Sequence, residues 1–440
     1  SIGEAKKWLN GKTPVISKGA LTSKLKDGVM KHRLILDCRV SGTNSATHKW
    51  ERILLPRIWD VIRDSIQMKA EARQGWSFRY FVCDIADAFY KVPLLPIEQP
   101  YFVLFFNMCY YIWQRLGQGS LNGPTLFGRL SAFLGRASQA LVADANARLQ
   151  IYTDDPIMSI CAPNEVIDRT VVLLIVFWRV LGLDMATHKA QLDDHVSWIG
   201  FDVAMKGETI EVTIKRSFLD ELLSDTKTIL KHNVVSLRKL RSYTGKANHV
   251  ANLLFGWRPF LDSLWAAVSG QPYKIVGKKR YNRRGKLRSR LSRAPKGMIW
   301  TKQVKSSLVW IRNFLLHLHG PLIRSWSVHE YYSDRSATAF YLDASPWGLG
   351  GLLVKDGVID SYFFSQLTAD DCSIHNQRIG DAAGQQIWEC LSVLVALTVW
   401  KDEWASRRCE VRIKSDNYSA LAMGSKMKIK ASPLIAKEIA

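Results

Sequence analysis

Leu149–Ile160, LQIYTDDPIMSI, is two short apolar runs set around an acidic turn. Runs of that length, separated by polar residues, specify a β-hairpin. This hairpin must display two adjacent carboxylates, Asp154 and Asp155, at its tip. Neighbouring carboxylates repel one another and are costly unless a divalent cation neutralises them. Pro156 follows the pair and removes one ladder N–H, which places it at a hairpin end or a sheet edge. A third acid, Asp84, closes the apolar run Arg79–Asp84 and lies 70 positions before Asp154. A strand end and a hairpin tip can meet on adjacent strands. Two carboxylates holding Mg²⁺ with phosphate oxygens is the arrangement that phosphoryl transfer needs. On spacing alone, turn and capping acids explain these residues equally well.

Periodicity supplies the surroundings. Lys31–Asp37 and Phe102–Phe106 read as strands, and residues 56–73, Pro124–Ala147 and Val166–Leu181 as helices. Val196–Val203 and Thr209–Thr213 read as strands, and residues 236–254 and 302–318 as helices. With 440 residues, 47% of them apolar and 23% charged, the chain can bury large cores without staples. It is not a disordered, collagenous or membrane-embedded chain. Its longest apolar run, Val171 to Trp178, is too short to span a bilayer, and no signal peptide is recognised. The seven cysteines form no C-x-x-C pair, which speaks against a zinc ribbon and for a reducing compartment. The expectation is an intracellular protein, cytoplasmic or nuclear, that is not secreted and has no membrane partner.

The net charge of +22 asks for a polyanion, with nucleic acid first. It is unevenly spread. Residues 81–200 are net −3, whereas residues 274–296 carry eleven cations and no acid. That basic run reads as a solvated linker, an import signal or a phosphate-binding segment.

The words around the acids are more specific. Asp84-Ile-Ala-Asp-Ala-Phe-Tyr-Lys-Val-Pro-Leu94 closely resembles motif A of reverse transcriptases, and Leu116-Gly-Gln-Gly-Ser-Leu-Asn-Gly-Pro-Thr-Leu-Phe127 resembles motif B. Tyr152-Thr-Asp-Asp155 resembles motif C. Lys189 followed by Trp198-Ile-Gly-Phe201 resembles motif D and the primer grip, and Lys31–Arg39 resembles the fingers strand that meets the incoming triphosphate. The five stretches stand in the family's order, and the resemblance covers roughly residues 20–265. It departs from the family at Gly117, where proline is usual, and at Pro156.

The resemblance implies roles. Asp84 and Asp154 would hold two Mg²⁺ (or Mn²⁺) ions, with Asp155 in support. Phe89 would be the steric gate that excludes a ribose 2′-hydroxyl. Lys26 and Arg33 would neutralise the triphosphate, and Gln118 would lie near the nucleotide. Lys189 would be a general acid for pyrophosphate, while Trp198 and Gly200 would position the primer end. The partners implied are an RNA template, a DNA primer, RNA–DNA hybrid and dNTPs.

A second acidic group lies downstream. Tyr341–Gly351 reads as a strand carrying Asp343 and then a glycine turn. Gln385–Trp400 reads as a helix whose one charge is Glu389, and Val411–Ser415 as a strand running into Asp416. These three acids resemble the first three metal ligands of ribonuclease H. The sequence stops 24 residues after Asp416, so the expectation is an incomplete domain lacking the family's fourth acid.

The expected fold is an α+β right-hand polymerase followed by a connection segment and an α/β ribonuclease H-like domain. Residues 1–205 would be fingers and palm, 206–270 a helical thumb, 271–332 a basic linker and connection, and 333–440 the ribonuclease H-like domain. The order of motifs, with Arg258-Pro-Phe-Leu261, resembles DIRS-like retrotransposons first and Gypsy-like LTR elements second. The alternatives are a catalytically decayed copy that keeps only a basic cleft, and an RNA-dependent RNA polymerase. Phe89 and the appended acidic unit speak against the latter.

Overall fold

In a computed structural model of the chain, all residues are described except 27–28, 50, 144, 270–293, 330–337, 406–409, 427–432 and 440. The basic run at 274–296 falls almost wholly outside the described residues, and the side chain of Lys26 also lies outside them. The chain divides into two compact units, Ser1–Glu211 and Val212–Ala440.

In the first unit the elements run α1 (Ile2–Trp8), β1 (Ile16–Lys26), β2 (Val29–Asp37), α2 (Thr43–Ala46), α3 (Ile58–Ala70), β3 (Ser77–Val82), β4 (Val103–Phe106) and β5 (Cys109–Ile112). They continue as α4 (Gly123–Gln139), β6 (Ala147–Tyr152), β7 (Asp155–Ala162), α5 (Asn164–Val180), β8 (Gln191–Asp193), β9 (His195–Trp198) and β10 (Phe201–Lys206), and the boundary between the units falls within β11 (Thr209–Ile214). One sheet has the order β2-β1-β4-β5. Its long β1–β2 hairpin sets Thr22 opposite Arg33.

The sheet that carries the acids has the order β6-β7-β3-β8. β7 is buried from Pro156 to Ala162, which explains a sequence without polar alternation. On one face Ser65 of α3 meets Ser159 of β7 at 3.2 Å. On the other, α4 and α5 close a core around Phe81, Phe127, Met158, Leu174 and Trp178. Ile167, Val171, Leu174 and Trp178 recur at helical spacing, so α5 turns one stripe inward. Truncating the fully buried Trp178 to alanine would cost about 3–5 kcal/mol through the cavity left behind.

Two sequence expectations change here. The helix expected over Pro124–Ala147 ends at Gln139. The Gln139 amide donates to the Ala147 carbonyl (2.8 Å) and accepts from the Leu149 N–H (2.9 Å), so the chain reverses into β6 instead of continuing as helix. The single strand expected over Val196–Val203 is two, β9 and β10, with Trp198 paired to Phe201 across a two-residue turn. Ile199 (φ 41°) and Gly200 (φ 85°) both take positive φ, as a type I′ turn requires.

The second unit opens with α6 (Arg216–Lys231), β12 (Val234–Ser236), α7 (Leu237–Leu253) and α8 (Arg258–Val268). It continues with β13 (Met298–Trp300), α9 (Lys305–Leu315) and β14 (Ile323–Ser327). Lys246 of α7 ties α6 through Glu221 (2.6 Å) and Asp225 (2.8 Å), and Phe260 of α8 stacks on Trp310 of α9 at 3.6 Å. Then come β15 (Ala339–Ala344), β16 (Gly348–Lys355), β17 (Val358–Gln366), α10 (Ala369–His375), α11 (Gln385–Val399), α12 (Lys401–Trp404), β18 (Arg412–Lys414), α13 (Tyr418–Lys426) and α14 (Pro433–Ile439).

The sheet order here is β17-β16-β15-β18, antiparallel except for the parallel pair β15–β18. By length and composition, Ala382–Val399 is apolar enough to cross a membrane. It instead packs on β15 and β16, with Trp388, Cys390, Val393 and Ala396 in the core.

Candidate active site

The Y-T-D-D hairpin closes through a two-residue turn. Tyr152 pairs directly with Asp155, so Thr153 and Asp154 alone make the turn, with Thr153 at φ 59°. Its three successive carbonyls are held by three different elements. Thr153 accepts from Ser131 Oγ of α4 at 2.6 Å. Asp154 accepts from the Ile85 N–H just past β3 at 3.0 Å. Asp155 accepts from Trp198 Nε1 of β9 at 2.9 Å. Pro156 stands opposite Ile151, next to the turn as its missing N–H demands, and its carbonyl accepts from the Cys83 N–H at 3.4 Å.

Asp84 leaves β3 beside this turn. Its carbonyl accepts from the Ala186 N–H (2.9 Å), and Ile85 bridges to Met185. Its carboxylate is ion-paired with the Lys189 ammonium. Desolvation, then repulsion from Asp84 and Asp154, pushes Asp155 up to about 7, while Lys189 and the Ile199 backbone N–H pull the other way. Asp154 is also raised, by desolvation and then by Asp84, against the pull of Arg33 and Lys189. The group is therefore short of positive charge, which suits a bound cation. The three carboxylates do not converge on one point. Asp84 turns to Lys189, and the oxygens of the three acids are not all within 4.8 Å of one another.

The other predicted residues lie on the elements around the two sheets. Arg33 is exposed on β2, and its charge is felt at both Asp154 and Tyr90. Phe89 is half-buried, stacks on Phe127 at 5.2 Å and lies against Gly123 at the start of α4. Lys26 ends β1. The Gln118 carbonyl accepts from the Leu36 N–H of β2 at 3.0 Å. Gly119 (φ 118°) is obligatory, because a Cβ there would lie 1.9 Å from the Leu36 carbonyl oxygen. Trp198 is 1% exposed, so it supports the hairpin from within the core.

Two functional contacts carry no sequence signal. Asn44 clips the glycine loop, donating to the Gly119 carbonyl (3.0 Å) and accepting from the Leu121 N–H (2.8 Å). Ser131 is one serine in a helix, and its bond to Thr153 spans 22 positions.

In the second unit the carboxylate oxygens of Asp343, Glu389 and Asp416 all lie within 4.8 Å of one another. Among the described residues it is the one group of three or more acids, histidines or cysteines drawn that close together. Asp343 comes from β15, Glu389 from α11 and Asp416 from the turn after β18. Glu389 is 2% exposed. Its Oε1 accepts from Gln385 Nε2 at 2.8 Å, one helical turn earlier, and its Oε2 has no partner. Burial raises its pKa, and Asp416 and Asp343 raise it further. A buried orphan oxygen facing two more carboxylates fits a divalent cation. A cavity of about 610 Å³ opens beside the group, lined by Asp343, Asp416, Tyr341 and Lys414 among others.

Comparison with known proteins decides the nature of the first unit. Residues 24–203 match the family model described as reverse transcriptase (RNA-dependent DNA polymerase). This segment is a reverse transcriptase domain. The Gag-Pol polyprotein of avian reticuloendotheliosis virus is 26% identical over 199 residues, covering 43% of this chain and 16% of the relative. The Gag-Pro-Pol polyprotein of squirrel monkey retrovirus is 29% identical over 136 residues, covering 29% of this chain and 7% of the relative. The chain thus spans only a small part of these relatives. A solved foamy viral protease–reverse transcriptase (dRH) in complex with double-stranded DNA aligns at a TM-score of 0.47 and 17% identity, covering 97% of this chain and 63% of that one. A foamy viral protease–reverse transcriptase with an RNA/DNA hybrid aligns at 0.43 and 16%, covering 97% and 48%. All five motif stretches read from the sequence fall within or overlap the reverse transcriptase domain.

Proposed function

We propose that this chain copies RNA and DNA templates into DNA from dNTPs, and that its second acidic group cuts RNA in RNA–DNA hybrids. One observation carries the first half: inside a reverse transcriptase domain, the N–H next after the strand-end acid Asp84 bonds the carbonyl of the turn acid Asp154, whose carboxyl feels the charges of Asp84 and Arg33. Asp84 and Asp154 would hold Mg²⁺ or Mn²⁺, with Asp155 in support. When bound, the cations activate the primer 3′-hydroxyl and neutralise the leaving pyrophosphate.

The chain's own residues do the rest. Arg33 meets the triphosphate charge, assisted by Lys26. Phe89, backed by Phe127 and Gly123, offers a hard wall beneath the sugar. Gln118 is carried by a loop bonded to both β2 and Asn44, so its backbone is fixed before substrate arrives. Lys189, ion-paired with Asp84, would donate a proton to the leaving pyrophosphate.

In the second unit, Asp343, Glu389 and Asp416 would hold the cation for hybrid hydrolysis. The order of strand, helix and strand-end acids supports a ribonuclease H-like reading of residues 333–440. We place the thumb at 206–270 and the connection at 271–332. Template RNA, primer DNA and hybrid are the proposed partners, in an intracellular setting. The source is a retroelement of DIRS-like order first and Gypsy-like order second. Pro156 motivates a decayed copy, but it keeps its ladder position opposite Ile151, which supports an active turn.

Primer extension on poly(rA)–oligo(dT) with Mg²⁺ tests the reading. The expected outcome is dTTP incorporation with UTP rejected, and a narrowed gap in Phe89→Ala. Preferential UTP use by the unmodified protein would favour an RNA polymerase, and no incorporation would favour the decayed copy.

A further inference from the structure

The Thr153–Asp155 turn is gripped by two buried side chains, Ser131 and Trp198. Trp198 joins two hairpins at their bases. Its backbone closes the Ile199–Gly200 turn, paired with Phe201. Its indole N–H bonds the Asp155 carbonyl, and its ring meets Tyr152 edge-on at 6.4 Å. Tyr152 and Asp155 are the pair that closes the turn carrying Asp154. From the opposite side Ser131, buried in α4, donates to the Thr153 carbonyl, with Phe127 one turn back as a longer alternative acceptor at 3.0 Å. The Asp154 carbonyl between them is already taken by the Ile85 N–H. Thr153 stands at positive φ, a conformation that costs a non-glycine residue and persists only when its surroundings hold it.

We propose that Ser131 and Trp198 are positioning residues for the Thr153–Asp155 turn, fixing the Asp154 carboxylate where Asp84 can share a cation with it. The inference rests on the polymerase reading, in which that turn holds the metal. Each grip depends on a single proton, and outer partners of metal ligands typically change affinity or activity by about 10–100-fold when removed.

Ser131→Ala and Trp198→Phe each remove one donor and keep most of the side-chain volume. Polymerisation kinetics are measured in the full chain. Mn²⁺ affinity is measured by electron paramagnetic resonance in a Glu389→Gln background, which silences the second group. Each variant is expected to lower kcat and weaken Mn²⁺ binding about tenfold or more, leaving the dNTP KM and template–primer affinity unchanged. Ser131→Thr, which restores the hydroxyl, is expected to recover both. Should Trp198→Phe fail to fold, the Ser131 pair decides alone. Unchanged kcat and Mn²⁺ affinity in Ser131→Ala, or a loss confined to template–primer affinity, overturns the proposal. If the unmodified protein binds Mn²⁺ but adds no nucleotide, the polymerase reading fails, and the Mn²⁺ affinities of the variants still decide the grip.

Discussion

The two acidic groups solve one electrostatic problem by opposite means. The first is assembled from turns. Asp84 follows a strand end and Asp154 occupies a two-residue hairpin loop, with every carbonyl from Thr153 to Asp155 bonded to a different element. A resident lysine answers its charge in part. The second is assembled from regular elements, with β15, α11 and the end of β18 each giving one acid and no cation paired to them among the described residues. Its deepest oxygen, Glu389 Oε2, is left without a partner. A centre with its own lysine can place that cation near developing charge.

The comparison can be broken by substitution, starting with the largest effect. Asp154→Asn should lower DNA synthesis by roughly a thousandfold or more, the several kcal/mol that metal-held charge stabilisation supplies. Hybrid cleavage should persist in the same preparation. Lys189→Gln should lower kcat about a hundredfold, the scale of a lost general acid, with Mn²⁺ still bound. Pre-steady-state incorporation reads that step, and an unchanged rate would reduce Lys189 to a counter-ion for Asp84.

Glu389→Gln should raise the stability of the metal-free protein by about 1–2 kcal/mol, because it removes a buried charge with one oxygen left unpartnered. Thermal melts in chelator check this, and Mg²⁺ should stabilise the variant less than the parent.

The smallest effect is on pH dependence. Asp155 and Glu389 are both raised above ordinary carboxyls, so folding favours their protonated forms. Their contribution is complete below the unfolded carboxyl range, near pH 4, and is lost as pH rises through the folded values, about 7 for Asp155. Metal-free melting temperature should therefore fall across that window. Asp155→Asn and Glu389→Gln should each flatten part of the fall, while saturating Mg²⁺ should reverse it.

The sequence shows the acids more clearly than what holds them. Asp84, Asp154 and Asp155 are legible because an apolar run ending in an acid, and a hairpin with an acidic tip, are local patterns. Glu389 is legible as a lone charge among apolar helix positions, and Gln385, one turn earlier, could have been found by the same spacing. The Ile199–Gly200 turn is hidden, because a β-branched residue at positive φ is rare and W-I-G-F reads as continuous strand. Ser131 and Asn44 are invisible for another reason: their partners lie 22 and 75 positions away, and only tertiary packing brings them together. The burial of Trp198 and its bond to the Asp155 carbonyl, 43 positions away, are likewise set by tertiary packing.

The central claim is that the two groups do two separate jobs. One measurement tests it most directly: a single RNA–DNA hybrid with a recessed DNA primer, labelled on both strands and incubated with Mg²⁺ and dNTPs. Extension and RNA cleavage are followed together in the parent, Asp154→Asn and Glu389→Gln proteins. The account predicts both activities in the parent, cleavage without extension in Asp154→Asn, and extension without cleavage in Glu389→Gln. Full extension by Asp154→Asn, or full cleavage by Glu389→Gln, would contradict it.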